Sequence, residues 1–508
     1  MKQKNSFLKN ILLLLFLFYT AASGLCSFCL NSSGLSSAFA AGISKPQNNE
    51  TIFYDYRPRG DITLTFELDS PADLVISAGT QAKSREIFST PVSPDPQTGL
   101  ASLRLPLSML LGTKTSTALK CDLFCGNDNS LIHSIFFKIE RARKNALWHW
   151  PSDFETSKKE DMPLLLQLNK KGLNVIFARY AHFSTKNNAP DFAKINYGPE
   201  YFPGLSMAGI EIHPSFSFSD EFRSAYDSNE EYSKSLDFCS AKFIIEKIKT
   251  SVKDIKPYIR GIQLDMEGLK DLDKYSCLVT HIKNDPFFKD LYISICPQVS
   301  WKYKIFQIRR LLAQCDFAAI MIYDHRWGLY ADRNIPLLNI PVPIVTTLKV
   351  SDPDWIKSTI KKYDKYKIPF YAGVPSYDYI KVYGTDKKAR DHWSLLRTDR
   401  QENLDFLKSL ADSPDFECQI YEKPFKNDLD LAYQFKALKD THVMSWNREF
   451  PIYKDEYIKA DILTADTVKG YCRAALDAGL KTSYFTGFSI FKLATTSVDE
   501  FIDNPDAE

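Results

Sequence analysis

Polar and apolar residues alternate in short runs over the first part of the chain, and the rhythm changes near residue 144. ITLTFEL (62–68), DLVISAG (73–79), ASLRLPL (101–107), LKCDLFC (119–125) and LIHSIFFKI (131–139) carry the two-residue period of half-buried strands. Turn residues divide them, among them the run Gly126, Asn127, Asp128, Asn129. The pattern predicts a β-sandwich over residues 41–143. It carries no catalytic constellation, so it reads as an accessory packing or binding module.

Over residues 144–497 strand-like runs alternate with helical ones. The strands are ALWHW (146–150), LNVIFARY (173–180), SMAGIEIH (206–213), IRGIQLDME (259–267), DLYISICP (290–297), DFAAIMIYD (316–324), PFYAGVPSY (369–377) and YFTGFSIF (484–491). Helical stretches fall near 159–171, 231–253 and 464–478. Eight such units predict an α/β fold, a (β/α)8 TIM barrel. IPVPIVTTLKV (340–350) reads as a ninth strand or an extended loop. Residues 378–450 are too many for a simple loop and predict a small subdomain inserted before the last strand. Residues 498–508 form a tail.

Within the fourth strand, successive side chains point to opposite faces. Ile262, Leu264 and Met266 share one face; Gln263, Asp265 and Glu267 share the other. A polar row on a buried strand is costly unless it is partnered or used. The Asp-x-Glu pattern also occurs at 153–155, 415–417 and 506–508, so its setting in a buried strand is what singles this copy out. Active sites of such barrels gather at the C-terminal strand ends. That rule places Asp265, Glu267, Tyr323 and Asp324 beside Trp150, Trp301, Trp327 and Tyr377. Carboxylates with aromatic faces suit a carbohydrate. Each Trp also has a plain reading as a core or rim residue.

Composition narrows the partners. With 64 basic and 62 acidic residues scattered along 508, there is no field or basic run suited to nucleic acid. Lys2, Lys4 and Lys9 precede an apolar run from Ile11 to Phe18, and Ala38-Phe39-Ala40 fits a cleavage site. Residues 1–40 thus predict a signal peptide and an exported protein, periplasmic or extracellular. If the segment is retained, it is the one membrane contact. The cysteines beyond it are scattered, with no Cys-x-x-Cys knuckle and a bridge between Cys121 and Cys125 as the one pairing considered.

The motifs GIQLDMEG (261–268), MIYDHRWG (321–328) and GVPSY (373–377) resemble, in order and spacing, those of glycoside hydrolase family 18 chitinases and endo-N-acetylglucosaminidases. The chain also resembles uncharacterised bacterial proteins with a glycosidase-like barrel, in which the Gln-x-Asp beginning recurs. The resemblance implies hydrolysis of N-acetylhexosamine-containing glycans. Glu267 would be the general acid and base, with a pKa raised by burial and by Asp265. Asp265 would orient the substrate's acetamido group, whose carbonyl is the internal nucleophile, and Tyr323 would bond that carbonyl. No metal or other cofactor is then required. The pattern departs from the family at Arg260 and Gln263, where two earlier Asp residues stand, and on the third strand, which lacks the paired glycine. Phe491 takes the place of the pocket-floor Trp, and Asp378 that of a Gly. The substrate site is therefore altered.

Two other functions fit the same residues. His149, His182, His213 and His325, with Glu211, fall near strand ends and could hold a metal for hydrolysis. A barrel stripped of auxiliary acids could also bind sugar without cleaving it. Asp265 and Glu267 could equally be a structural pair for basic residues on a neighbouring strand.

Overall fold

The computed structural model describes residues 43–44, 50–56, 61–68, 71–80, 83–98, 100–111, 116–125, 129–150, 161–186, 189–228, 242–269, 271–299, 304–323, 350–386, 389–396, 401–425, 428–445, 448–461 and 465–491. The chain divides into two compact units, Met1–Ala142 and Arg143–Glu508. The signal region expected at 1–40 lies outside the described residues. Among the described residues, no helix is long and apolar enough to cross a membrane.

In the N-terminal unit, strands Glu50–Tyr54, Leu131–Arg141, Ser116–Cys125, Ala72–Thr80 and Lys83–Val92 form one sheet in that order. Ile43–Ser44, Asp61–Glu67 and Leu100–Pro106 form another. Alternate residues of both, such as Ile62 and Leu64 or Leu74, Ile76 and Leu123, bury into one core. Strands 50–54 and 83–92 escape the sequence pattern; the second opens on a polar Lys-Ser-Arg-Glu run. Cys121 and Cys125 are free thiols, so the considered bridge is not formed. Four residues of extended strand span about 13 Å, beyond the reach of a disulfide.

The C-terminal unit is a closed parallel barrel. Its strands are β1 (Asn145–His149), β2 (Leu173–Lys186), β3 (Glu211–Phe218), β4 (Gly261–Asp265), β5 (Tyr292–Ile295), β6 (Phe317–Met321), β7 (Phe370–Pro375) and β8 (Phe485–Phe491). Each pairs with the next, and β1 pairs with both β8 and β2, which closes the ring. The (β/α)8 barrel implied by periodicity and by the family resemblance is the fold observed. Outward residues such as Ile212, Ile262, Ile293, Ile320 and Ile490 pack under helices that include Lys242–Val252, Leu272–Asn284 and Ala465–Gly479. Asp271 and Asp352 begin two of these covering helices by accepting bonds from Asp273 N and Trp355 N, each at 2.8 Å.

The third strand lies later than its apolar run predicts. Leu205 and Met207 belong to the helix Tyr201–Met207, Gly209 turns the chain at φ +80°, and β3 begins at Glu211. Its serines 215 and 217 are buried on the interior face, where they read as loop in the sequence. Residues 340–349, the candidate ninth strand, lie outside the described residues.

At the N-terminal end of the barrel Glu211 accepts from Lys144 Nζ at 2.5 Å and from His213 Nε2 at 2.7 Å. All three lie at or near the start of their strands, below the level of the acid pair on β4.

Between β7 and β8 the insertion runs through strands Tyr377–Tyr383, Ala389–Leu396, Phe416–Phe425, Asp428–Ala437 and Tyr457–Asp461, which make one antiparallel sheet. It extends past the expected limit at 450, because Tyr457–Asp461 is a central strand of that sheet. Helix Gln401–Ala411 and the hairpin Thr441–Ser445 with Arg448–Ile452 share its separate core.

Candidate active site

Asp265 ends β4; Met266 then turns into the apolar core and Glu267 returns to the interior. Gly268 follows at φ +67°, a left-handed conformation suited to glycine, and turns the chain away just past the acid. Asp265 and Glu267 open into a cavity of about 210 Å³ lined also by Trp148, Trp150, Cys296, Met321, Tyr323, Tyr377 and Phe491. The structure thus brings Asp265, Glu267, Tyr323, Trp150, Tyr377 and Phe491 together at or just past the C-terminal ends of β1, β4, β6, β7 and β8. Asp324, Trp301 and Trp327 lie outside the described residues.

Phe491 is the centre of the aromatic wall. Its ring stacks on Tyr323 at 5.3 Å and 19°, and meets Trp148, Trp150 and Tyr377 at 6.0, 5.9 and 5.6 Å. Offset and edge-on contacts of this kind hold rings in fixed orientation. Ser376 pins the ends of β7 and β8 together here: its N–H and hydroxyl donate to Phe491 O at 2.7 and 3.1 Å.

Gln263 does not line the cavity, against expectation. It is fully buried one layer below, and its Oε1 accepts from Trp148 Nε1 at 2.9 Å. On the other side of the indole, a Cβ at Gly373 would come within 2.9 Å of the Trp148 ring. Gln263 and the bare backbone of Gly373 therefore hold Trp148 in place. The row Gln263, Asp265, Glu267 divides in function: the first supports the wall, the other two reach the cavity.

Burial first, and then the negative charge of Glu267, push Asp265 well above the usual carboxylate range, and Arg223 and Arg179 offset this only in part. The Asp265 Oδ1 is buried with no hydrogen-bond partner. Glu267 accepts a short bond from Gln298 Nε2, a residue just past β5 that sequence reasoning missed. The Cys296 thiol is held protonated by burial and by both carboxylates.

The histidines considered as metal ligands are spent on separate partners. His149 bonds Tyr201 and, through Nε2 at 2.7 Å, Asp161; His182 meets Ser217 Oγ at 2.9 Å; His213 bonds Glu211. Among the described residues, no three His, Cys, Asp or Glu side chains converge to hold a metal ion. His325 lies outside them.

No family model matches the chain, and no curated protein matches it. Similar solved structures include a chitinase from Chromobacterium violaceum, 14% identical over 71% of this chain and 97% of that one, with a TM-score of 0.44. A spore cortex-lytic enzyme from Bacillus megaterium is 12% identical over 73% of this chain and 76% of its own, at 0.44. A family 18 chitinase from Flavobacterium johnsoniae is 14% identical over 71% and 93%, at 0.41. On its own strand order the C-terminal unit is a closed eight-stranded parallel barrel, the fold its motifs lead one to expect.

Proposed function

We propose that the protein is an exported glycoside hydrolase that cleaves N-acetylhexosamine-containing glycans by substrate-assisted, retaining hydrolysis. The observation that carries this reading is the pair Asp265 and Glu267 opening together into an aromatic cavity that also holds Tyr323. Sugar rings stack on such walls, and a proton shared by two close carboxyls is available to a leaving oxygen. Glu267, positioned by Gln298, passes a proton to the glycosidic oxygen as the bond to the anomeric carbon breaks. The acetamido carbonyl of the same sugar closes on that carbon, with Asp265 bonding the acetamido N–H and Tyr323 the carbonyl. Glu267 then takes a proton from water, which opens the ring intermediate and restores the sugar with its configuration retained. The N-terminal two-sheet unit serves as an accessory module, and residues 1–40 direct export.

The test is a panel of N-acetylglucosamine-containing oligosaccharides given to wild type and Glu267→Gln, scored for binding and for new reducing ends. Turnover falls by roughly 1,000-fold in the variant while affinity is kept. Hydrolysis at the wild-type rate by Glu267→Gln overturns the assignment.

A further inference from the structure

Ser215 on β3 and Gln263 on β4 are register partners, and Ser217 and Asp265 are the pair above them. All four side chains point into the barrel, with Ser294 of β5 on the other flank of Gln263. An extra residue between Arg179 and Ala181 bulges β2, so Arg179 and His182, the partners of Ser215 and Ser217, both turn inward. Two of the three serines are spent. Ser217 Oγ meets His182 Nδ1 at 2.9 Å, and Ser294 Oγ donates to Ile262 O at 3.3 Å. Ser215 is different: it is fully buried, and its Oγ has no hydrogen-bond partner in the protein.

Two more polar atoms beside it are in the same condition. Trp148 Nε1 only donates, so its 2.9 Å bond fixes the Gln263 oxygen against the indole and turns the amide nitrogen elsewhere. That nitrogen, Nε2, is buried with no acceptor, and Asp265 Oδ1 is buried with no donor. Paired residues of neighbouring strands lie about 5 Å apart and residues two along a strand about 7 Å, so one small molecule spans all three positions. Buried polar atoms in a low-dielectric interior are costly when left unanswered, and ordered water is their usual partner.

We propose that Ser215 Oγ, Gln263 Nε2 and Asp265 Oδ1 together hold one water molecule, which makes Ser215 and Gln263 positioning residues for Asp265; its part in catalysis rests on the glycosidase reading above. Gln263 gives the water a direction. Nε2 only donates, so the water accepts there and keeps both protons to give, one to Asp265 Oδ1 and one to Ser215 Oγ. A carboxylate at position 263 would compete for those protons; the amide does not. Donation to Oδ1 favours the ionised Asp265, the form that accepts an acetamido N–H. The water thus acts with Arg179 and Arg223, and against burial and the charge of Glu267. The Cys296 thiol and the Tyr275 hydroxyl also feel Asp265 and are held protonated, while burial and Arg179 favour neutral His182.

Two measurements on the full-length protein test this. In a crystal structure fine enough to show ordered water, density stands about 2.6–3.2 Å from Ser215 Oγ, Gln263 Nε2 and Asp265 Oδ1. Direct bonds among those atoms, or protein filling the place, overturn the inference. Infrared difference spectra across pH then follow the Asp265 carboxyl, its band assigned by Asp265→Asn. Ser215→Val puts methyl groups where the water sits and raises the ionisation midpoint by about one pH unit. Ser215→Ala leaves the water room and moves the midpoint less, and it serves alone if the valine variant does not fold. An unmoved midpoint in Ser215→Val, or equal shifts in the two variants, overturns the positioning role. The water and the shift in a protein that releases no reducing ends uphold the inference and overturn the hydrolase reading. Release of reducing ends with neither water nor shift does the reverse.

Discussion

The barrel buries a carboxylate near each of its ends, and the two are treated in opposite ways. At the N-terminal end, burial alone would raise Glu211, but Lys144 at 2.5 Å and His213 at 2.7 Å overcome it and hold the group well below the usual range. At the C-terminal end, burial raises Asp265, Glu267 raises it further, and one of its oxygens has no hydrogen-bond partner. The difference lies in the partners rather than in depth. A charge fully answered by its neighbours fixes structure; one left partly unanswered holds a proton that can be moved. Conservation of the ring and chemistry at its mouth are thereby assigned to separate ends of the same strands.

Breaking the lower end has the largest effect. Glu211→Ala leaves Lys144 and His213 without their anion and lowers the stability of the barrel by about 3–5 kcal/mol. Urea unfolding followed by tryptophan fluorescence reports this unit alone, since all 7 Trp lie beyond residue 143. Breaking the upper end does the reverse. Asp265→Asn cuts turnover by about 100-fold, read from reducing ends, while the unfolding midpoint stays level or rises. A fall in stability equal to that of Glu211→Ala removes the contrast.

Smaller effects sharpen it. Gly373→Ala pushes a methyl towards Ile320 O and the Trp148 ring and costs about 1–3 kcal/mol, with weaker glycan binding because the wall shifts. A pH series separates the two acids by sign. The folded pKa of Glu211 is depressed, so its stabilisation is present above its unfolded value of about 4.3 and fades as pH falls towards the folded one. The folded pKa of Asp265 is raised, so its contribution is complete below about 3.9 and is lost as pH rises through the folded value. In urea midpoints between roughly pH 3 and 8, Glu211→Gln therefore flattens the acid side and Asp265→Asn the neutral side. Matching profiles for the two variants contradict the assignment.

Much of this barrel is legible as periodicity. Runs such as DFAAIMIYD and YFTGFSIF announce buried parallel strands, and the Gln263, Asp265, Glu267 row announces an inward face. What stays hidden has physical causes. β3 is rich in serine and includes Pro214, so its polar interior face imitates a loop. The bulge in β2 breaks the two-residue period just where Arg179 and His182 turn inward, so periodicity does not mark Arg179 as an interior residue. Gln298 acts from beyond the end of a short strand, where no periodicity marks it. Trp148 and Phe491 are visible as aromatic strand ends, but their contact joins residues from opposite ends of the barrel sequence, and only ring closure brings β8 beside β1.

Tyr377 has a double membership. It lines the cavity and is also the first residue of the insertion's sheet, paired there with Leu396. The chain passes from β7 into that sheet across Ser376 alone, and Ser376 is itself fastened to Phe491. Recombination that exchanged the insertion would therefore trade away part of the lining, whereas a trimmed barrel would open on that flank. Shape selection and the added subdomain are inherited as one parcel.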